Sequence, residues 1–201
     1  MIKENEVTFI CAGKIFTKNN LTLKCLKSIK KFFPKSRLIL TTWDKKDNSN
    51  KFVKYCDEII YNQAPDNIGS TCLPECDWYP KENSYNHQQL LVNSALKVCQ
   101  TKYVVKFRTD FVFNKNCFIK FYEKFLDVLG VNAQVFKQKV LIYSCGTINP
   151  KTKHCPLPHH PSDLFFFGLT DDLKLIYDGR FISKELANYY LTHIHEKNPA
   201  L

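Results

Sequence analysis

The chain has no apolar run approaching the roughly 18 residues of a membrane span, and its opening MIKENEVTF holds no apolar segment of signal-peptide length. The expected location is therefore the cytoplasm. Repeats and low-complexity tracts are also missing, which argues against a solenoid or a disordered linker. Acidic residues are scarce beside basic ones: 19 Asp and Glu face 29 Lys and Arg, for a formal net charge of +10. That excess invites a nucleic-acid partner, but there is no basic tail and no RNA-binding signature. The lysines are spread along the chain, as in LKCLKSIKKFFPK, and nucleic acid is not an expected partner. A solvated lysine-rich surface is one reading. Peripheral contact with an anionic membrane, or attraction to a phosphate-bearing substrate, is the other.

A disulfide framework is not expected either, because the nine cysteines are odd in number. Cys11, Cys25, Cys56, Cys99, Cys117 and Cys145 lie in apolar runs, where thiols act as small hydrophobes. What is abundant is core material. The 201 residues are 44% hydrophobic and 14% aromatic, which suits one α/β domain.

EVTFICAG reads as a first strand with its turn at Gly13. Asn19 or Asn20 is placed to cap a helix that Pro34 stops, with Cys25, Ile29 and Phe32 or Phe33 on its buried stripe. SRLILTTW and DEIIYNQ are the next strands. The Pro-containing segment from Ala64 to Asn83 is a long loop, a type of segment that is usually functional or disordered. Ser84 then caps SYNHQQLLVNSALKVC, with Leu91, Ala95 and Val98 facing inward and Asn86, Gln89 and Asn93 lining a second face. TKYVVKFRTDF is a strand. Phe118, Tyr122, Phe125 and Leu129 keep helical spacing up to a Gly130 cap, and QKVLIYSCG is another strand. DLFFFG is an apolar stretch, followed by helices from Thr170 and from about Ser183. Alternating strands and helices in the first half predict a mostly parallel sheet flanked by crossover helices.

The strand TKYVVKFRTDF carries an anomaly. A buried parallel strand should be apolar almost throughout, yet Lys106, Arg108 and Asp110 sit two apart and so share one face. In open α/β sheets the ligand site lies beyond the carboxyl ends of the strands. There a carboxylate can hold a divalent cation, and cations can neutralise phosphate oxygens. A nucleoside diphosphate with its metal would partner all three charges. The alternative is an internal Arg–Asp ion pair that ends the strand.

Several blocks in order carry a resemblance. They are VTFICAG, KSIKKFFPKSRLILTTWD, YCDEIIYNQAP, NHQQLLVNSALK, TKYVVKFRTDF and HPSDLFFFGLTDDLKLIYD, covering most of residues 7 to 178. The chain resembles the WavE-type lipopolysaccharide synthesis proteins, and through them the GT-A nucleotide-sugar enzymes. The resemblance implies a single GT-A-like, Rossmann-like domain, with a nucleotide-sugar half at about 1–114 and an acceptor-side half at about 115–201. It implies a metal-dependent glycosyltransferase of hexosyltransferase type using Mg²⁺ or Mn²⁺. The donor would be a nucleotide sugar and the acceptor a glycan or lipid-linked precursor. KFRTDF takes the place of the Asp-x-Asp motif, with Asp110 as the matching acidic position. Gln88 stands where the resemblance leads one to expect an arginine.

The candidate site follows. Asp110 is the expected metal ligand or ribose contact, and Arg108 and Lys106 are expected phosphate contacts. Cys11, Ala12, Gly13 and Lys14 would line the donor pocket through their backbone. Asp44 would meet the base or ribose, or cap its loop. Gln89 and His87 are further donor-side candidates. Asp163, just before FFFG, is the expected catalytic base that takes the acceptor hydroxyl's proton. Asp171 and Asp172 read as acids at a helix start. His154, Cys155, His159 and His160, with Cys72 and Cys76, lack the tight spacing of a zinc ribbon. A catalytically inactive protein of the same fold that binds a glycan or a partner is the second functional expectation.

Overall fold

The computed structural model describes residues 1–43, 50–69, 84–126, 135–145 and 162–187. Twelve elements follow in order: β1 (Val7–Ala12), α1 (Leu21–Phe32), β2 (Arg37–Trp43), α2 (Asn50–Val53), β3 (Glu58–Asn62), α3 (Tyr85–Lys97), β4 (Tyr103–Arg108), α4 (Phe118–Phe125), β5 (Leu141–Ile142), β6 (Phe165–Leu169), α5 (Thr170–Tyr177) and α6 (Lys184–Ala187). The strands form one six-stranded sheet in the order β3-β2-β1-β4-β6-β5. β1, β2, β3 and β4 are parallel, whereas β6 runs antiparallel to both β4 and β5. This is the mostly parallel α/β sheet that the sequence pattern implied.

Both faces of the sheet are covered, which is why its central strands are apolar on both sides. Val7, Phe9 and Cys11 of β1 meet Cys25, Leu26 and Ile29 of α1, with Ile119 and Tyr122 of α4 in the same cluster. Ile10 and Ala12 turn the other way, toward Leu91, Val92 and Ala95 of α3 and Leu173 of α5. Phe9, Phe33, Phe113 and Phe118 pack edge-on or tilted, with ring centroids between 4.7 and 6.4 Å apart.

Some local expectations change. Asn19 and Asn20 both adopt positive φ, at 55° and 52°, and neither side chain caps α1. Thr22 accepts the Phe16 N–H at 2.9 Å instead. The strand expected from QKVLIYSCG shrinks to the two residues Leu141 and Ile142 at the sheet edge. Asp171 and Asp172 do lie in the first turn of α5, where Asp172 accepts the backbone N–H groups of Lys137 and Gln138 at 2.8 and 2.9 Å. Leu129 and Gly130 fall outside the described residues.

Candidate functional site

The connection from β1 to β2 runs through α1 on one face, and the connection from β3 to β4 runs through α3 on the other. The chain therefore reverses direction between β1 and β4, and an open α/β sheet has its crevice at that point. A cavity of about 240 Å³ opens there. Ala12, Gly13 and Lys14 line it from the end of β1, Trp43 from the end of β2, and Lys106, Arg108 and Thr109 from the end of β4. Ser84, His87 and Gln88 at the start of α3 face Asp163, which precedes β6, across the same space.

Gly13 makes the first turn feasible. Its φ is +145°, and a Cβ there would lie 2.9 Å from the Thr109 hydroxyl. That hydroxyl donates to the Lys14 carbonyl at 2.5 Å, so Thr109 ties the ends of β1 and β4 together.

Lys106 alternates onto the α3 side of β4 and is buried at 1% exposure. Its ammonium donates to the backbone carbonyl of Asp163 and sits 5.5 Å from the centre of the Phe166 ring. Burial pushes its pKa down to about 8, against the pull of Asp163 and Asp110. Arg108 lies two residues on, half-buried at the cavity wall. Its Nε and Nη2 donate to Asp110 Oδ1 and Oδ2 at 3.0 and 2.8 Å, and this pairing raises the guanidinium pKa further. Nη1 is 3.9 Å from Asp163 Oδ2. Gln88 donates to that same Oδ2 at 2.7 Å.

The structure thus brings Ala12, Gly13, Lys14, Lys106, Arg108 and Asp163 together. His87, a further donor-side candidate, also lines the cavity, whereas Cys11, Gln89 and Asp110 are placed elsewhere. The Cys11 side chain is fully buried in the opposite layer, with its Sγ 3.8 Å from that of Cys25, and burial holds its thiol pKa well up. Its backbone is spent on sheet pairing. Gln89 is buried on the far side of α3 and donates to the Gly179 carbonyl. Asn86 likewise exchanges two 2.9 Å hydrogen bonds with Ile182, so this polar face of α3 holds the segment after α5. Asp110 does not continue the strand face, because β4 ends at Arg108 and the chain turns there. Asp44 and the histidine and cysteine candidates from Cys72 to His160 lie outside the described residues.

Several cavity residues carry no sequence signal for a site, Trp43, Thr109 and Gln88 among them. Trp43 closes LILTTW, Thr109 alternates with the charged pair, and Gln88 was noted only as a departure. The His87 ring meets Trp43 edge-on at 5.2 Å, and its buried Nδ1 has no hydrogen-bond partner among the described residues. Also among the described residues, no group of three or more His, Cys, Asp and Glu is placed to hold a metal ion. No described helix is long and apolar enough to cross a membrane.

Fold and cavity together define a Rossmann-like α/β protein with a cationic crevice at its switch point. The chain belongs to the WavE lipopolysaccharide synthesis family, whose model matches residues 7–199. Comparison with curated proteins gave no match. Among solved structures it is similar to the bifunctional IspDF of Campylobacter jejuni, at 13% identity and a TM-score of 0.44, covering 92% of this chain and 46% of that one. It is similar to S. aureus TarS at 15% identity and a TM-score of 0.44, with 92% and 51% covered. The glycosyltransferase GlyE of Streptococcus pneumoniae gives 7% identity and a TM-score of 0.41, with 97% and 39% covered. The chain spans about half or less of each of these structures.

Proposed function

We propose that this chain is a nucleotide-sugar-dependent glycosyltransferase of hexosyltransferase type, acting on a glycan or lipid-linked acceptor in lipopolysaccharide synthesis. The observation that carries this reading is the pair Lys106 and Arg108 facing Asp163 across a switch-point cavity. Two cations beside one carboxylate suit a reaction in which a diphosphate leaves as a hydroxyl attacks.

In this proposal Lys106 and Arg108, with Lys14 at the rim, hold the diphosphate, and the backbone of Ala12 to Lys14 lies along it. Trp43 and His87 wall the base side, where Asp44 would add a ribose or base contact. Gln88 fixes Asp163 through Oδ2, leaving Oδ1 to take the acceptor proton. The acceptor oxygen bonds to the sugar's anomeric carbon, and the bond from that carbon to the phosphate oxygen breaks. Its electron pair leaves with the nucleoside diphosphate, whose charge the cations offset. The acceptor enters from the side of residues 115–201. Contact of the lysine-rich surface with the inner face of a membrane brings a lipid-linked acceptor within reach.

A panel of nucleotide sugars scored by thermal stabilisation tests the donor site. A ligand at 100 times its Kd adds about 2.7 kcal/mol. If no member shifts the melt, the reading fails. Transfer of label from the stabilising donor to a lipopolysaccharide-derived oligosaccharide then separates an enzyme from an inactive binder of the same fold.

A further inference from the structure

We infer that this site holds the donor's diphosphate with its own cations and without a divalent metal ion, an inference that rests on the nucleotide-sugar reading of the cavity. The resemblance to Asp-x-Asp enzymes leads one to expect two carboxylates two residues apart. Here the first of those positions is Arg108, so the charge at that point is reversed. The second is Asp110, and its two oxygens are each engaged by one nitrogen of the Arg108 fork, at 3.0 and 2.8 Å. A carboxylate held this way by an always-charged guanidinium is a poor ligand for a second cation.

The rest of the cavity points the same way. Its described lining carries three cations, Lys14, Lys106 and Arg108, against the single carboxylate of Asp163. Asp163 Oδ2 already accepts from Gln88 and lies 3.9 Å from Arg108 Nη1. A divalent cation entering here would meet net positive charge, whereas a diphosphate would meet its complement. Lys106 is also under-partnered for a buried ammonium. It has three N–H donors and, among the described residues, one hydrogen-bond acceptor, the Asp163 carbonyl. Phosphate oxygens are the chemistry that completes it.

The test is calorimetric titration of the whole chain with UDP, GDP and inorganic pyrophosphate, in excess EDTA and then with Mg²⁺ or Mn²⁺. At least one nucleoside diphosphate is expected to bind in EDTA with a Kd within about threefold of its value with metal, a difference under 1 kcal/mol. Lys106→Met is expected to weaken that binding by about tenfold or more, in EDTA and with metal alike. Binding seen only with metal would overturn the inference while leaving the donor-site reading intact. No binding of any probe under either condition would overturn both. The EDTA comparison uses the unmodified chain, so it does not depend on a variant folding.

Discussion

The Arg108 guanidinium holds Asp110 by two hydrogen bonds while its third nitrogen, Nη1, stays 3.9 Å from Asp163. Asp110 therefore acts on the cavity through Arg108, fixing the rotamer of a cation that reaches the catalytic candidate. Asp110→Asn keeps the shape but removes the charge, and one of the two oxygens becomes an amide donor facing a donor. Because the Arg108 side chain is 39% exposed, water can satisfy the freed nitrogen. The expected loss of stability is about 1 kcal/mol, well below the cost of breaking a buried pair. Urea unfolding checks it. A loss several times larger would mean that the pair is part of the core.

Gly13 and Thr109 give a second prediction. Gly13→Ala places a methyl group 2.9 Å from the Thr109 hydroxyl at a φ of +145°. Strain and contact together are expected to cost about 2–3 kcal/mol. Adding Thr109→Ala should recover only part of this, because it relieves the contact but not the φ. It also removes the hydrogen bond to the Lys14 carbonyl. A double-mutant cycle on denaturation midpoints measures the coupling. Full recovery would show that the backbone tolerates alanine there.

Much of this site was legible in the sequence, and the misses have physical causes. Strands β1, β2 and β4 announce themselves as β-branched and aromatic runs, so Gly13, Lys14, Lys106 and Arg108 were found at their ends. Alternation then misled at one position and held at another. It placed Asp110 on the face of Lys106, but period two holds only while the strand lasts, and β4 stops at Arg108. It also says that Cys11 and Ala12 cannot face the same side, and Cys11 went to the core. On α3, neighbours differ by 100°, so choosing Gln89 over Gln88 selects the opposite wall. No local signal tells which polar face of that helix will hold the segment after α5.

Asp163 carries the third prediction. If its Oδ1 takes the acceptor proton, Asp163→Asn should lower kcat by about 10²–10⁴ while donor Kd moves little. Lys106 donates to the Asp163 backbone carbonyl, which the substitution keeps, so the diphosphate contacts persist. Gln88→Ala removes only the hydrogen bond that orients the carboxylate. Its expected effect is a smaller fall in kcat. Steady-state kinetics with parallel calorimetry separates the two parameters. Asp163→Asn lowering donor affinity as much as turnover would assign the residue to binding instead.

Lys106 makes the site sensitive to pH, and the sign follows from its depressed pKa of about 8 against an ordinary 10.5. Between those values the unfolded chain binds a proton that the folded chain does not, so stability rises with pH across that window. Below about 8 both states are protonated and the folded protein carries the full cost of a buried ammonium. The difference of 10.5 − 8 = 2.5 corresponds to roughly 3 kcal/mol at about 1.4 kcal/mol per unit. The quantity to measure is the difference between wild type and Lys106→Met, which isolates the contribution of this one side chain. Urea unfolding at pH 7 and pH 10 should show Lys106→Met gaining relative stability at the lower pH and losing that advantage at the higher. Affinity for a nucleoside diphosphate runs the opposite way. If the charged ammonium holds the diphosphate as proposed, wild-type binding should weaken as pH rises through about 8, while binding by Lys106→Met stays flat there. Among the described residues the charges that act on Lys106 are those of Asp163, Arg108 and Asp110, and the Arg108 guanidinium stays charged throughout. Parallel pH profiles for the two proteins would place the Lys106 ammonium outside the binding site.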